Sequence, residues 1–246
     1  MKSILEVCYS EENKQYLDIH LPEKDSFPVF VYFHGGGLQW GDKSEEKVFY
    51  NFMTSHGIAV VTANYRMYPE AKYPDFIVDA AEVVSWTFKN MPQYGDIEGI
   101  YVGGSSAGGY ISQMLCFDSR WLKVHGLSAM DINGFVHDAG QPTCHFNVLK
   151  ERGIDGRQVI IDDSAPIYHI GEDKEYPKML VIVSDNDMQN RYEQTVLLVS
   201  TLKHFGHTEN VGLKVMNGTH CSYIHAIDQN GDNVFGKVVK EFILGE

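Results

Sequence analysis

The sequence lacks the features that mark several large functional classes. No apolar run approaches the ~20 residues that a membrane-spanning helix requires. The N-terminal stretch MKSILEVCYSEENKQYLDIHLP has no uninterrupted apolar segment followed by a small-residue cleavage site, so a secretory leader is not expected. Basic residues are scarce: 20 Lys and Arg stand against 33 Asp and Glu, a formal net charge of −13. Without a basic cluster the chain is not expected to bind nucleic acid or an anionic membrane surface. The four cysteines (Cys8, Cys116, Cys144 and Cys221) are scattered, with no C-x-x-C, and read as free thiols of a reducing cytoplasm. No G-K-[ST] and no G-x-G-x-x-G occupies the first strand-to-helix turn, so no nucleotide cofactor is expected. His137, Asp138 and His145, with Asp162 and Asp163 further on, match no zinc spacing, so no metal is expected either.

What is present is an alternation of buried strands and amphipathic helices. Val29–Phe33, Ile58–Thr62, Ile100–Val102, Met179–Val183 and Val211–Met216 are short apolar runs, the pattern of strands buried on both faces of a parallel sheet. Between them Phe76, Ala80, Val83, Val84 and Phe88 repeat at helical spacing. So do Tyr192, Val196, Val199 and Leu202, and so do Phe235, Val238, Val239 and Phe242. Ile4–Tyr9 and Gln15–His20 alternate apolar and polar around a polar turn and predict an antiparallel hairpin at a sheet edge. The order calls for an α/β fold with a mostly parallel central sheet and helices on both faces. The 246 residues fit one domain, since such folds run to roughly 250 residues undivided. Residues 134–176 lack periodicity and are expected to form a short cap insertion, its aromatics Phe135, Phe146 and Tyr168 lining or covering a pocket.

Two local patterns carry chemistry. Gly104-Ser105-Ser106-Ala107-Gly108 is a G-x-S-x-G that follows the run Ile100–Val102 and opens a helical pattern. A strand-to-helix turn this sharp lifts the central hydroxyl clear of the sheet, at a helix N-terminus that favours developing negative charge. The structural alternative is a chance Gly/Ser turn. His34-Gly35-Gly36-Gly37 follows the first strand directly. Glycines let backbone N–H groups converge on one point, and Gly36, Gly37 and Ala107 are the candidate donors to an oxyanion.

With these motifs the chain resembles α/β-hydrolase esterases of the hormone-sensitive-lipase-like and related small-esterase type. The resemblance rests on HGGG at His34–Gly37, Trp40-Gly41-Asp42-Lys43, Asn64-Tyr65-Arg66-Met67-Tyr68-Pro69-Glu70 and GGSSAGG at Gly103–Gly109. It covers about Tyr16 to Phe242 and is weak only across the cap. Ser105 departs from relatives that often carry Asp or His there. The resemblance implies that Tyr65-Arg66 and Pro69-Glu70 brace the glycine loop.

Partners of Ser106 should follow it in the order acid, then histidine. Met179–Val183 ends at Ser184-Asp185-Asn186-Asp187, which offers Asp187 as the acid, favoured by the family's G-x-x-D, with Asp185 as its rival. Val211–Met216 is followed by Asn217-Gly218-Thr219-His220, which offers His220 as the base, with His225 as a fallback. His204 and His207 precede that strand and are expected to be solvated. The resulting expectation is a serine carboxylesterase that acts through an acyl-enzyme on a small soluble ester with a short acyl group, such as an acetylated sugar or plant-derived alcohol. The alternatives are an arylformamidase-like amide hydrolase and a binder that has lost catalysis. A homodimer is a further expectation, because edge strands and helices in such folds often pair.

Overall fold

A computed structural model describes residues 2–245. In chain order the elements are β1 (Lys2–Ser10), β2 (Gln15–Leu21), β3 (Ser26–Phe33), α1 (Lys47–Ser55), β4 (Ala59–Ala63), α2 (Asp75–Asn90), β5 (Asp96–Ser105) and α3 (Ala107–Phe117). The short α4 (Arg120–Lys123) and β6 (Gly134–Asp138) follow. The chain ends with α5 (Phe146–Glu151), β7 (Met179–Asn186), α6 (Arg191–His204), β8 (Val211–Thr219) and α7 (Val234–Leu244).

The strands form one eight-stranded sheet in the order β1-β2-β4-β3-β5-β6-β7-β8. The β1–β2 hairpin joins β4 antiparallel, and every pair from β4 to β8 is parallel. Side chains alternate between the two faces of a strand. Val29, Val31 and Phe33 of β3 therefore enter one core with Val61, Val102 and Phe135, covered by Phe76, Ala80, Ile111 and Leu198 of α2, α3 and α6. Phe30 and Tyr32 point the other way, into a core with Val60, Val136 and Ile182 under Phe49 and Met53 of α1 and Phe235 and Val239 of α7. Among the described residues no helix is long and apolar enough to cross a membrane.

Three expectations need correction. The stretch 134–176 does not open as a cap: Gly134–Asp138 is β6, a buried central strand paired with β5 and β7. Its Phe135 is fully buried in the sheet core and lines no pocket, while Tyr168 is largely exposed. The strand reads poorly because His137 and Asp138 interrupt its apolar run. Both are buried: Ser112 Oγ lies 2.9 Å from His137 Nδ1, while His137 Nε2 has no hydrogen-bond partner among the described residues, and Tyr223 Oη donates to Asp138. In α6 the inward face is Arg191, Thr195, Leu198, Val199 and Leu202, so Tyr192 and Val196 turn partly to solvent. His207 is not solvated but buried, its Nε2 2.9 Å from Gly171 O.

The inter-strand register sets the ends that matter. Phe33 pairs with Gly104, Ser105 with Asp138, and Asn186 with Thr219. The carboxyl ends of β3, β5, β6, β7 and β8 thus share one rim of the sheet, where α/β folds place their ligands.

Candidate active site

Ser106 stands between β5 and α3 with φ 55° and ψ −109°, a conformation that a residue with a Cβ rarely adopts. Its N–H donates to Asp138 O (2.8 Å), and its own carbonyl accepts from Tyr110 N (3.0 Å). The turn needs its glycines for closeness. A Cβ on Gly108 would sit 1.9 Å from Phe33 O, so only glycine lets α3 pack onto the end of β3.

The rim brings Ser106 together with residues far along the chain. Ser106 Oγ lies 2.8 Å from His220 Nε2, and His220 Nδ1 lies 2.5 Å from Asp187 Oδ1. The Asp187 side chain is inaccessible to solvent and accepts from Met188 N (2.7 Å) and Ser184 N (3.1 Å). Burial pushes its pKa up. The bond from His220, that ring's charge and the two N–H donors outweigh burial and hold the carboxyl below its ordinary range. An ionised carboxylate only accepts, so the proton of the neutral ring resides on Nδ1. Nε2 is then an acceptor, and the Ser106 hydroxyl donates to it.

The other candidates lie elsewhere. Asp185 Oδ1 accepts from Gly218 N (2.9 Å) and so braces the turn that carries His220. His225 is mostly exposed and faces Glu46 at 3.1 Å.

The glycine loop packs directly on the elbow. A Cβ on Gly35 would lie 3.4 Å from Ser106 Cβ, and one on Gly36 (φ +104°) would lie 2.0 Å from Trp40 O. Gly36 and Gly37 (φ +65°) follow Gly35 in this loop, and a Cβ on Gly37 would meet Phe146 at 3.2 Å. Tyr65 stacks on His34 with centroids 4.5 Å apart, and its hydroxyl donates to His34 O (2.9 Å). Arg66 grips Asp79 through Nε and Nη2 at 2.7–3.0 Å, and Tyr68 N donates to Leu38 O (2.8 Å). The segment after β6 holds the loop from the far side. Asn147 Nδ2 donates to Gly37 O through a short hydrogen bond, and Tyr68 Oη donates to Glu151 Oε2 at 2.5 Å. Between this segment and the start of α6 runs a groove of about 980 Å³. Its wall is mixed, with Gln141, Lys150, Arg157 and Gln194 set beside Phe146 and Met188.

Sequence reasoning missed a buried polar group under the elbow. Asp138 is fully buried, and Tyr223 Oη donates to its Oδ1 through a short hydrogen bond. Tyr32 Oη donates to Ser105 Oγ (3.0 Å), and Ser105 in turn hydrogen-bonds the Asp138 carboxyl. Burial raises the Asp138 pKa to about 7, against the two hydroxyl donors and the nearby His220 that lower it. The available signal was the register: once β6 is seen as a strand, Asp138 falls opposite Ser105.

The family model described as BD-FAE matches residues 17–149. Kynurenine formamidase of Danio rerio is 29% identical over 116 residues, 46% of this chain and 39% of that protein. Esterase LipI of Mycobacterium tuberculosis is 35% identical over 101 residues, 40% of this chain and 32% of that protein. The matched stretch therefore spans only about a third of these relatives' length. A thermophilic esterase structure from Thermogutta terrifontis superposes with a TM-score of 0.77 at 19% identity, covering 99% of this chain and 92% of that one. At that identity the likeness establishes the α/β-hydrolase fold.

Proposed function

The chain belongs to the BD-FAE family, and from that premise we propose that it is a serine carboxylesterase with Ser106 as nucleophile, His220 as base and Asp187 as acid. The observation that carries the proposal is the unbroken chain of contacts from Ser106 Oγ through His220 to Asp187, set beside the glycine loop. His220 Nε2 takes the Ser106 proton as the oxygen attacks the ester carbonyl. Asp187 holds the Nδ1–H tautomer and stabilises the imidazolium. The N–H groups of Gly36, Gly37 and Ala107 receive the oxyanion, each worth on the order of 10²–10³ in rate. Collapse expels the alcohol with the proton from His220, and His220 then activates water to release the acid from Ser106.

The substrate in this reading is a small soluble ester with a short acyl group, met in a reducing cytoplasm. The groove supports it in that charged and amide side chains such as Lys150, Arg157, Gln141 and Gln194 interrupt its apolar surface, so a long lipid chain would meet no continuous apolar lining. The test is hydrolysis of p-nitrophenyl esters from acetyl to palmitoyl by the wild type and Ser106→Ala. Turnover is expected to peak at acetyl or butyryl and to fall by roughly 10³-fold or more in the variant. A rate that climbs steadily to palmitoyl refutes the short-acyl assignment. Retained turnover in Ser106→Ala refutes the nucleophile. The formamide reading is separated by N-formylkynurenine, which should remain a poor substrate.

A further inference from the structure

We propose that Asp138 is a positioning residue whose carboxylate joins the Ser106 elbow to the loop bearing His220 and supplies a second negative charge to the imidazolium. The inference rests on the esterase reading of Ser106 and His220, and it assigns work to a group that reading leaves idle.

The geometry ties Asp138 to both partners. Its main-chain oxygen accepts from Ser106 N (2.8 Å), so it fixes the strained turn itself. Its Oδ1 accepts from Tyr223 Oη, three residues beyond His220, and its Oδ2 lies 3.9 Å from Sγ of Cys221, the residue next to His220. Ser105, next to Ser106, is its register partner and hydrogen-bonds the carboxyl. One buried side chain thus contacts the immediate neighbours of nucleophile and base from beneath.

Among the described residues, the groups that reach the Asp138 carboxyl are the Tyr223 and Ser105 hydroxyls and the Cys221 thiol. Each can donate to a carboxylate, which only accepts. The site is built for the ionised form, although burial resists ionisation. Charged and titratable groups around it are Tyr32 from β3, Asp187 beyond β7, and His220, Cys221 and Tyr223 beyond β8; Glu46 ahead of α1 acts on Tyr32 and Cys221, and Arg191 opening α6 acts on Cys221. His137 lies next to Asp138 on β6, but it is held neutral by burial. His220 is the neighbour that becomes positive during the reaction. An anion in this buried setting favours that charge more than it would in water.

The consequence is a pH profile that a packing role would not produce. The reactive form needs His220 neutral and Asp138 ionised, so two protons must leave before full activity. The readout is the rate at which a fluorophosphonate probe labels Ser106, measured from about pH 5 to 9. In the wild type the acid limb should be steeper than one ionisation allows, approaching two protons per pH unit. Asp138→Asn keeps the shape and removes the charge. It should return the limb to a single ionisation and lower the plateau about tenfold, the effect of one pKa unit of lost charge stabilisation.

Tyr223→Phe removes one donor and keeps the carboxyl, so the steep limb should move to higher pH. It also carries the test if Asp138→Asn fails to fold, and an unmoved limb then overturns the proposal. Labelling of the wild type with an unchanged slope and plateau in Asp138→Asn overturns this inference alone. A wild type that the probe never labels overturns the esterase reading and this inference together.

Discussion

Replacing Asp138 by Asn should change how stability depends on pH, and the size of the change follows from the site. Burial lifts the carboxyl from 3.8 to about 7. In the unfolded chain it returns to the ordinary value and sheds its proton early. Between the two values the native state holds a proton that the unfolded state has lost, so stability is greatest below the unfolded pKa and falls as pH rises towards 7. Each pH unit well inside that window costs about 1.4 kcal/mol, and the loss tapers as pH nears 7, so between pH 5 and 7 it is about 2 kcal/mol. Asn carries no such dependence, while its amide can still accept from Tyr223 and donate to Ser105. Asp187, Asp42 and Asp162 are all depressed and act with the opposite sign, stabilising above their unfolded pKa values and losing that as pH falls. They are common to both proteins and cancel in the difference. Urea denaturation of wild type and Asp138→Asn at pH 5, 6, 7 and 8 gives that difference directly. It should move by about 2 kcal/mol in favour of the variant from pH 5 to 7. A difference that stays flat within about 1 kcal/mol would show that the carboxyl ionises normally.

Two further outcomes test the assignments around the elbow. Asp187→Asn should lower ester turnover by about 10⁴-fold by disturbing the His220 tautomer, whereas Asp185→Asn, which loses only a brace to Gly218, should cost far less; p-nitrophenyl acetate kinetics decide, and the reverse order would transfer the role to Asp185. Gly108→Ala drives a methyl into the carbonyl of Phe33, which is backbone and cannot swing away. A loss of about 1–3 kcal/mol in urea titrations, with slowed labelling of Ser106, is expected, and unchanged labelling would mean the elbow tolerates the shift.

The parts of this fold that were legible are those whose physics is local. Val29–Phe33 and Met179–Val183 show as apolar runs because parallel strands are buried on both faces. Gly104–Gly108 shows because the tight approach of α3 to β3 leaves no room for side chains. The β1–β2 hairpin shows because a polar turn separates two β-rich runs, although β1 is mostly exposed and β2 mostly buried and neither buries strictly alternate residues. The chain order acid, then histidine pointed to the ends of β7 and β8, and the family resemblance favoured Asp187 over Asp185; in the structure His220 contacts Ser106 and Asp187 contacts His220. β6 was illegible because His137 and Asp138 are buried at the expense of partners distant in sequence, Ser112 and Tyr223. No window of neighbouring residues contains that compensation. The inward face of α6 was misjudged for a related reason: Arg191 is buried because Ala139 O accepts from its guanidinium, which turns the helix and exposes Tyr192.

The strand that leads to His220 is the outermost rung of the sheet. β8 is paired with β7 alone, and Leu213 and Val215 stand partly exposed along it. Ser106, by contrast, leaves a strand clamped between two neighbours. Heat therefore acts on the two halves of the site unequally. Edge strands open at lower free energy than central ones, so warming should unhook the histidine while the serine turn is still intact. The proposed esterase activity would then be lost some degrees before the fold melts and return on cooling, for as long as the core has not followed the rim.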